Sequence, residues 1–99
     1  MINCTGVFAD QVRLKDDPSV HKRICIVGGS HIVYDSRVAS SSFGICIPTS
    51  DGRVLLVQPW LGRVLAGTTE KKFSEPTNNP ICTDQERSFI NETLNDVMS

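Results

Sequence analysis

Short apolar runs, many of them β-branched, fill the middle of the chain, and the period changes near its end. Ile24 to Val27 reads as one strand, and Ser30-His31-Ile32-Val33-Tyr34 resumes the pattern after Gly28-Gly29. Ile and Val suit a half-buried pleated surface. A glycine pair inside such a run marks a bulge or a close approach of the backbone to something else. Phe43 to Ile47 is a further strand, ended by Pro48. Thr49-Ser50-Asp51-Gly52 follows as a turn, with Asp-Gly its hairpin signal. Arg53 to Trp60 is the next strand, Leu61-Gly62 a second tight turn, and Arg63 to Thr69 the return. Two hairpins in succession predict an antiparallel meander.

Helical spacing shows at both ends. Val7, Phe8, Val12 and Leu14 mark one face of a short helix after Asn3-Cys4-Thr5-Gly6. Asp16-Asp17-Pro18-Ser19 stops it, since proline lacks a donor and disfavours helix before it. Ser36 to Ser42 is a small polar loop with serines at 36, 40, 41 and 42. Near the C-terminus, Thr83-Asp84-Gln85-Glu86 is a capping box, in which Thr83 and Glu86 satisfy each other's backbone donors. Phe89, Ile90, Leu94 and Val97 follow as one apolar stripe, which predicts a helix over about 84 to 97. The fold class expected is α+β: an antiparallel sheet, a meander of about four to five strands, with the C-terminal amphipathic helix packed on one face.

With 99 residues the chain makes one small domain at most. Its formal charge is −1, with no basic cluster, which argues against nucleic acid or an anionic membrane surface as the main partner. The longest apolar runs are about five residues, whereas a bilayer span needs roughly 20, so no transmembrane segment is expected. No secretory leader is visible either. Cys4, Cys25, Cys46 and Cys82 contain no C-x-x-C pair, so no metal site is expected. An even count admits two bridges. Cys25 and Cys46 sit inside apolar strand-like runs, however, and are expected to be buried free thiols.

The residues alone show no self-contained catalytic constellation, with no G-x-G-x-x-G, P-loop or H-E-x-x-H motif. His31, just beyond a glycine pair, is either a group that moves a proton for a ligand or a histidine hydrogen-bonded at a sheet margin. Gly67-Thr68-Thr69-Glu70 either presents hydroxyls and amides at a strand end or is a plain turn. Trp60 reads as core or edge packing, Arg53 and Arg63 as solvated rim charges, and His21 as a solvated loop residue.

Three blocks and the last helix stand out together. The first is Asn3-Cys4-Thr5-Gly6-Val7-Phe8-Ala9-Asp10, with Arg13 and Asp16-Asp17-Pro18-Ser19 behind it. The second is Gly29-Ser30-His31-Ile32-Val33. The third runs from Thr49-Ser50-Asp51-Gly52-Arg53-Val54 through Pro59-Trp60 to Ala66-Gly67-Thr68-Thr69. In this order, over nearly the whole chain, they resemble the FAD-dependent glycerol-3-phosphate dehydrogenases, with their N-A-T-G-P-[FW], G-[SV]-H-I-V, T-S-D-G-R-V, P-W and A-G-T-T segments. Cys4 stands where that family has Ala, Val7 where Pro is common, and Glu70 where Asp follows Gly-Thr-Thr. The dinucleotide fingerprint of such enzymes is absent from this chain.

The resemblance implies an internal fragment, mostly the substrate-binding (cap) domain, with residues 1–20 a remnant of the FAD-binding domain edge. It implies oxidation of glycerol 3-phosphate to dihydroxyacetone phosphate, with FAD as cofactor and quinone as electron acceptor. His31 maps to the catalytic and substrate-binding histidine, Thr68 and Thr69 to the strand end at the substrate, and Asn3, Thr5 and Gly6 to the segment approaching FAD. Arg37, Arg53 and Arg63 match no phosphate-binding position. The fragment alone is expected to hold no FAD, to be inactive, and to self-associate through sheet edges. Location would be at the mitochondrial inner membrane in a eukaryote or the cytoplasmic membrane in a bacterium. The alternatives are the substrate domain of another FAD-dependent amino-acid or hydroxy-acid oxidase, and a non-enzymatic β-sheet dimerisation module.

Overall fold

The computed structural model describes residues 2–39 and 42–98, so Ser40 and Ser41 of the serine-rich loop lie outside the described residues. In chain order the elements are α1 (Ala9–Asp16), β1 (Ile26–Gly28), β2 (His31–Tyr34), β3 (Ile45–Pro48), β4 (Val54–Trp60), β5 (Arg63–Gly67), β6 (Lys71–Phe73) and α2 (Asp84–Met98), with 3-10 turns at Gly6–Phe8 and Ser36–Val38. They form two compact units: residues Met1–Gly28 with Lys72–Pro80, and Gly29–Lys71 with Ile81–Ser99.

The second unit holds a four-stranded antiparallel sheet in the order β2-β5-β4-β3. Its hairpins come from local chemistry. Leu61 (φ 49°) and Gly62 (φ 74°) both take left-handed backbone between β4 and β5. A two-residue turn with that geometry matches strand twist. Gly52 (φ 82°) turns the chain between β3 and β4, where its N–H donates to the Thr49 carbonyl. β2 is not part of this meander: it joins β5 from the far side, with His31 opposite Gly67 and Tyr34 opposite Val64.

Alternation along each strand then sorts the side chains. Ile47, Leu55, Val57, Val64 and Ala66 turn inward and bury themselves against Ile90 and Leu94 of α2. Each of these Ile, Leu and Val side chains, fully buried, contributes about 1.5–3 kcal/mol, and the small Ala66 less. This is the expected α+β arrangement of an antiparallel sheet with the C-terminal helix on one face. The helix stripe is narrower than its sequence suggests, because Val97 in the last turn is 53% exposed.

The first unit holds α1 and the two-stranded pair of β1 with β6. Asp10 organises its start: buried, it accepts from the backbone N–H of Arg23 (2.7 Å) and of Ile24 (2.8 Å) and from Arg13 Nη1 (2.6 Å). The Ile24 amide foremost holds its carboxyl below the ordinary value, against the opposing effect of burial.

Several local expectations are corrected. The strand read at Ile24–Val27 begins at Ile26, because the Arg23 and Ile24 amides are engaged by Asp10. Lys71–Phe73, assigned no element from the sequence, is a strand; the Phe73 ring lies against Gly28, which has no side chain to obstruct it. All four cysteines are free, but none is buried. Cys46 sits between inward-facing Ile45 and Ile47 and therefore points to the opposite face. Trp60 is about half exposed at the end of β4. Arg53 is no solvated rim charge: its guanidinium lies 4.4 Å from the Phe89 ring centroid and bonds Asp51.

Candidate functional site

Residues directly opposite one another across a sheet share a face. His31 pairs with Gly67, Gly67 with Leu56, and Leu56 with Cys46. These four make one row on the face that α2 does not cover. The next row on that face runs from Val33 through Leu65 to Gln58. Val33, Val54 and Leu56 are exposed there, although an ordinary one-sided sheet turns polar residues outward. The uncovered face is thus an apolar wall with an imidazole at one end.

Gly67 decides how that imidazole lies. A Cβ at residue 67 would collide with Cδ2 and Cγ of His31, so the ring rests on a backbone stripped of side chain. His31 itself is exposed to solvent.

Beyond the His31–Gly67 pair the ladder ends, and side chains take over. The Ser30 N–H donates to Thr69 Oγ1 (2.8 Å), and the Thr69 N–H donates to the Ser30 carbonyl (3.3 Å). Thr69 Oγ1 donates onward to Glu86 Oε1 (2.7 Å), which also accepts from Ser30 Oγ (3.0 Å). Glu86 Oε2 accepts from the Thr83 N–H (2.9 Å) and Thr83 Oγ1 (2.8 Å), while the Glu86 N–H donates to Thr83 Oγ1. The capping box is therefore present, but only one carboxylate oxygen serves it. These donors, the Thr83 N–H foremost and Thr69 Oγ1 next, pull the Glu86 carboxyl down to about 2. Gly29 closes the arrangement, since a Cβ there would strike the Thr69 carbonyl and Thr68 Oγ1.

The structure brings His31, Thr68 and Thr69 into the second unit, but it gives them different settings. Thr69 is buried, and its hydroxyl is engaged by Ser30 and Glu86. Thr68 is exposed, with its hydroxyl donating to the Thr69 carbonyl (2.9 Å). Asn3, Thr5 and Gly6 lie in the first unit. Asn3 Oδ1 accepts from the Thr5 hydroxyl (2.6 Å), and Asn3 Nδ2 donates to the Ala9 carbonyl (3.0 Å), so the two side chains shape the turn into α1. Gly6 (φ +56°) is exposed with no heavy atom near the place of a Cβ. Sequence reasoning marked Gly29 as a close approach of the backbone, which the structure shows against Thr69, but missed the role of Gly67 and the outer oxygen of Glu86. The A-G-T-T segment and the capping box were the available signals, and neither reveals the strand register that joins them.

The family described as FAD dependent oxidoreductase matches residues 1–99.

The chain belongs to the FAD dependent oxidoreductase family.

Among its relatives, the mitochondrial glycerol-3-phosphate dehydrogenase of Arabidopsis thaliana is 35% identical over 100 residues, covering 100% of this chain and 16% of the relative. The human mitochondrial glycerol-3-phosphate dehydrogenase is 38% identical over 97 residues, covering 96% of this chain and 13% of the relative. The aerobic glycerol-3-phosphate dehydrogenase of Bacillus subtilis is 30% identical over 95 residues, 96% of this chain and 17% of that protein. The chain thus spans 13% to 17% of the length of these relatives. Two open surfaces stand out among the described residues: the exposed, side-chain-free backbone at Gly6, and the apolar wall beside His31.

Proposed function

We propose that this chain is part of a flavin-linked dehydrogenase that oxidises the secondary hydroxyl of glycerol 3-phosphate to a ketone, giving dihydroxyacetone phosphate. FAD, when bound, would supply the acceptor for the hydride removed from C2, with a quinone as the electron acceptor of the whole enzyme. The chain's own residues handle the proton and the shape of the pocket. The C2 hydroxyl loses its proton as the ketone forms, and an imidazole nitrogen of His31 takes it. The apolar wall of Val33, Leu56 and Leu65 excludes water from that step. Thr68 offers a rim hydroxyl to the substrate, while Thr69 acts from beneath by holding the strand end. Asn3, Thr5 and Gly6 hold open a backbone surface for the cofactor.

The observation that carries this reading is the placement of an exposed imidazole, in the space beside Gly67, on the sheet face that α2 leaves apolar and uncovered. The relatives named for glycerol 3-phosphate supply the substrate class. In this reading residues 1–20 form an edge of the FAD-binding domain and the rest is mostly substrate-binding (cap) domain. The 99 residues alone are inactive and self-associate through the free edges of β2 and β3. In this reading the whole protein sits at the mitochondrial inner membrane in a eukaryote, whose relatives are named mitochondrial, or at the cytoplasmic membrane in a bacterium. Among the described residues no helix is long and apolar enough to cross a membrane.

The test uses the complete protein loaded with flavin. Replacing His31→Ala is expected to cut kcat for glycerol 3-phosphate by about 10²–10⁴-fold with flavin retained, the usual contribution of a positioned proton acceptor. Unchanged turnover removes His31 from the chemistry. Turnover of amino acids in place of glycerol 3-phosphate would move the chain to another branch of the family.

A further inference from the structure

We infer that Glu86 is the positioning residue for His31: one carboxylate oxygen, unused by the helix cap, clamps the strand ends that present the imidazole. Its effect on turnover rests on the proton-transfer role of His31 proposed above, but its effect on the ring's placement does not.

The argument begins with what a capping box needs. Thr83 and an acceptor at residue 86 suffice, and Glu86 Oε2 alone meets that need. Oε1 reaches instead to Ser30 and Thr69, which lie on the ends of two strands distant in sequence. Ser30 immediately precedes His31, and Thr69 follows Gly67 by two residues. The His31–Gly67 pair is the last of the β2–β5 ladder. Past it, the two strands are held together by the Ser30 and Thr69 amides and by the two hydroxyls gathered on one oxygen. An edge strand of four residues frays easily at such an end. The imidazole has no side chain at Gly67 to stop it, so its place over that backbone depends on the strands keeping their approach.

Two variants separate the clamp from the cap. Glu86→Gln keeps an acceptor for the Thr83 N–H, and Gln serves a capping box. Its second atom becomes an amide nitrogen, which cannot accept from Ser30 and Thr69. Thr83→Ala does the opposite: it weakens the cap and leaves Oε1 in place. Ser30→Ala removes a single donor to the clamp and decides the matter if Glu86→Gln does not fold.

The measurement is NMR of the complete protein carrying 13C-labelled histidine, with the two ring signals assigned by their loss in His31→Ala and His21→Ala and His21 serving as the internal reference. Glu86→Gln and Ser30→Ala are expected to shift and broaden the His31 ring signals while His21 stays fixed, and Thr83→Ala is expected to leave both unmoved. His31 signals that stay put in Glu86→Gln and Ser30→Ala, or move equally in Thr83→Ala, overturn the inference. In the complete flavin-loaded protein, Glu86→Gln is expected to lower kcat on the order of tenfold to a hundredfold with KM little changed, as a displaced reacting group does. If the ring moves but His31→Ala spares turnover, the catalytic reading fails and the clamp stands. If His31→Ala abolishes turnover while Glu86→Gln changes neither ring nor kcat, the clamp fails and the catalytic reading stands.

Discussion

The imidazole of His31 occupies the space that a side chain on Gly67, its partner across β2 and β5, would fill. That exchange of volume ties a candidate catalytic group to a glycine with no chemistry of its own. Gly67→Ala is expected to push the ring off the sheet and destabilise the chain by about 1–3 kcal/mol, the usual result of overpacking. Combining it with His31→Ala removes the clash, so the double variant should melt above Gly67→Ala alone. Thermal melts of the four proteins in the cycle check this, and simple additivity would refute the relationship.

The core of the second unit is small, so single truncations weigh heavily. Leu55 and Ile90 are fully buried, one on β4 and one on α2, against each other's neighbours. Leu55→Ala or Ile90→Ala is expected to lose about 2–5 kcal/mol, from a total of about 5–15 kcal/mol for a domain of ordinary stability. Urea unfolding, followed by the far-ultraviolet helix signal of α2, measures it.

Acid should weaken the fold in a defined window. Glu86 is held at about 2 against an ordinary 4.5, so its charged form is favoured in the folded state. The contribution is fully present above the ordinary value and is lost as pH falls from about 4.5 toward 2. The melting temperature should therefore decline over that interval, and Glu86→Gln should shrink the decline. Part of it should remain, because Asp10 and Asp51 are also held low, by the Ile24 amide and by Arg53 foremost. Melts recorded every half unit of pH give the comparison.

Asp10→Asn should act on the first unit alone. The amide cannot accept at once from Arg13 and from the Arg23 and Ile24 N–H groups as the carboxylate does. Hydrogen exchange is expected to speed up in α1 and at Arg23 and Ile24, while protection in β4 and β5 stays unchanged. Equal loss in both units would show that they unfold together.

The uncovered sheet face and the open edges of β2 and β3 predict association of the isolated chain. Sedimentation equilibrium should show a concentration-dependent dimer or larger species, and Leu56→Lys on the outer face should weaken it. A monomer at millimolar concentration would contradict both expectations.

Local chemistry made much of this architecture readable. The helix α2 is announced by the Thr83–Glu86 box and by Ile90 and Leu94 at helical spacing, and the structure places it at Asp84–Met98. Asp51-Gly52 and Leu61-Gly62 mark hairpins because left-handed backbone there needs glycine or tolerates few alternatives. His31 was visible as a candidate through its neighbours Gly29 and Ser30 and through the family pattern. The strand at Lys71–Phe73 escaped notice because Lys-Lys-Phe has no alternation, and it forms by pairing with distant β1.

The sequence by itself determined most of the elements and turns, β6 apart, because caps, glycines and apolar periodicity act over a few neighbouring residues. Only the tertiary structure decided that β2 crosses to pair with β5, that Cys46 faces outward, and that Glu86 reaches Ser30 and Thr69. Those relations depend on register and on contacts between residues as far apart as Ser30 and Glu86, which no local pattern encodes.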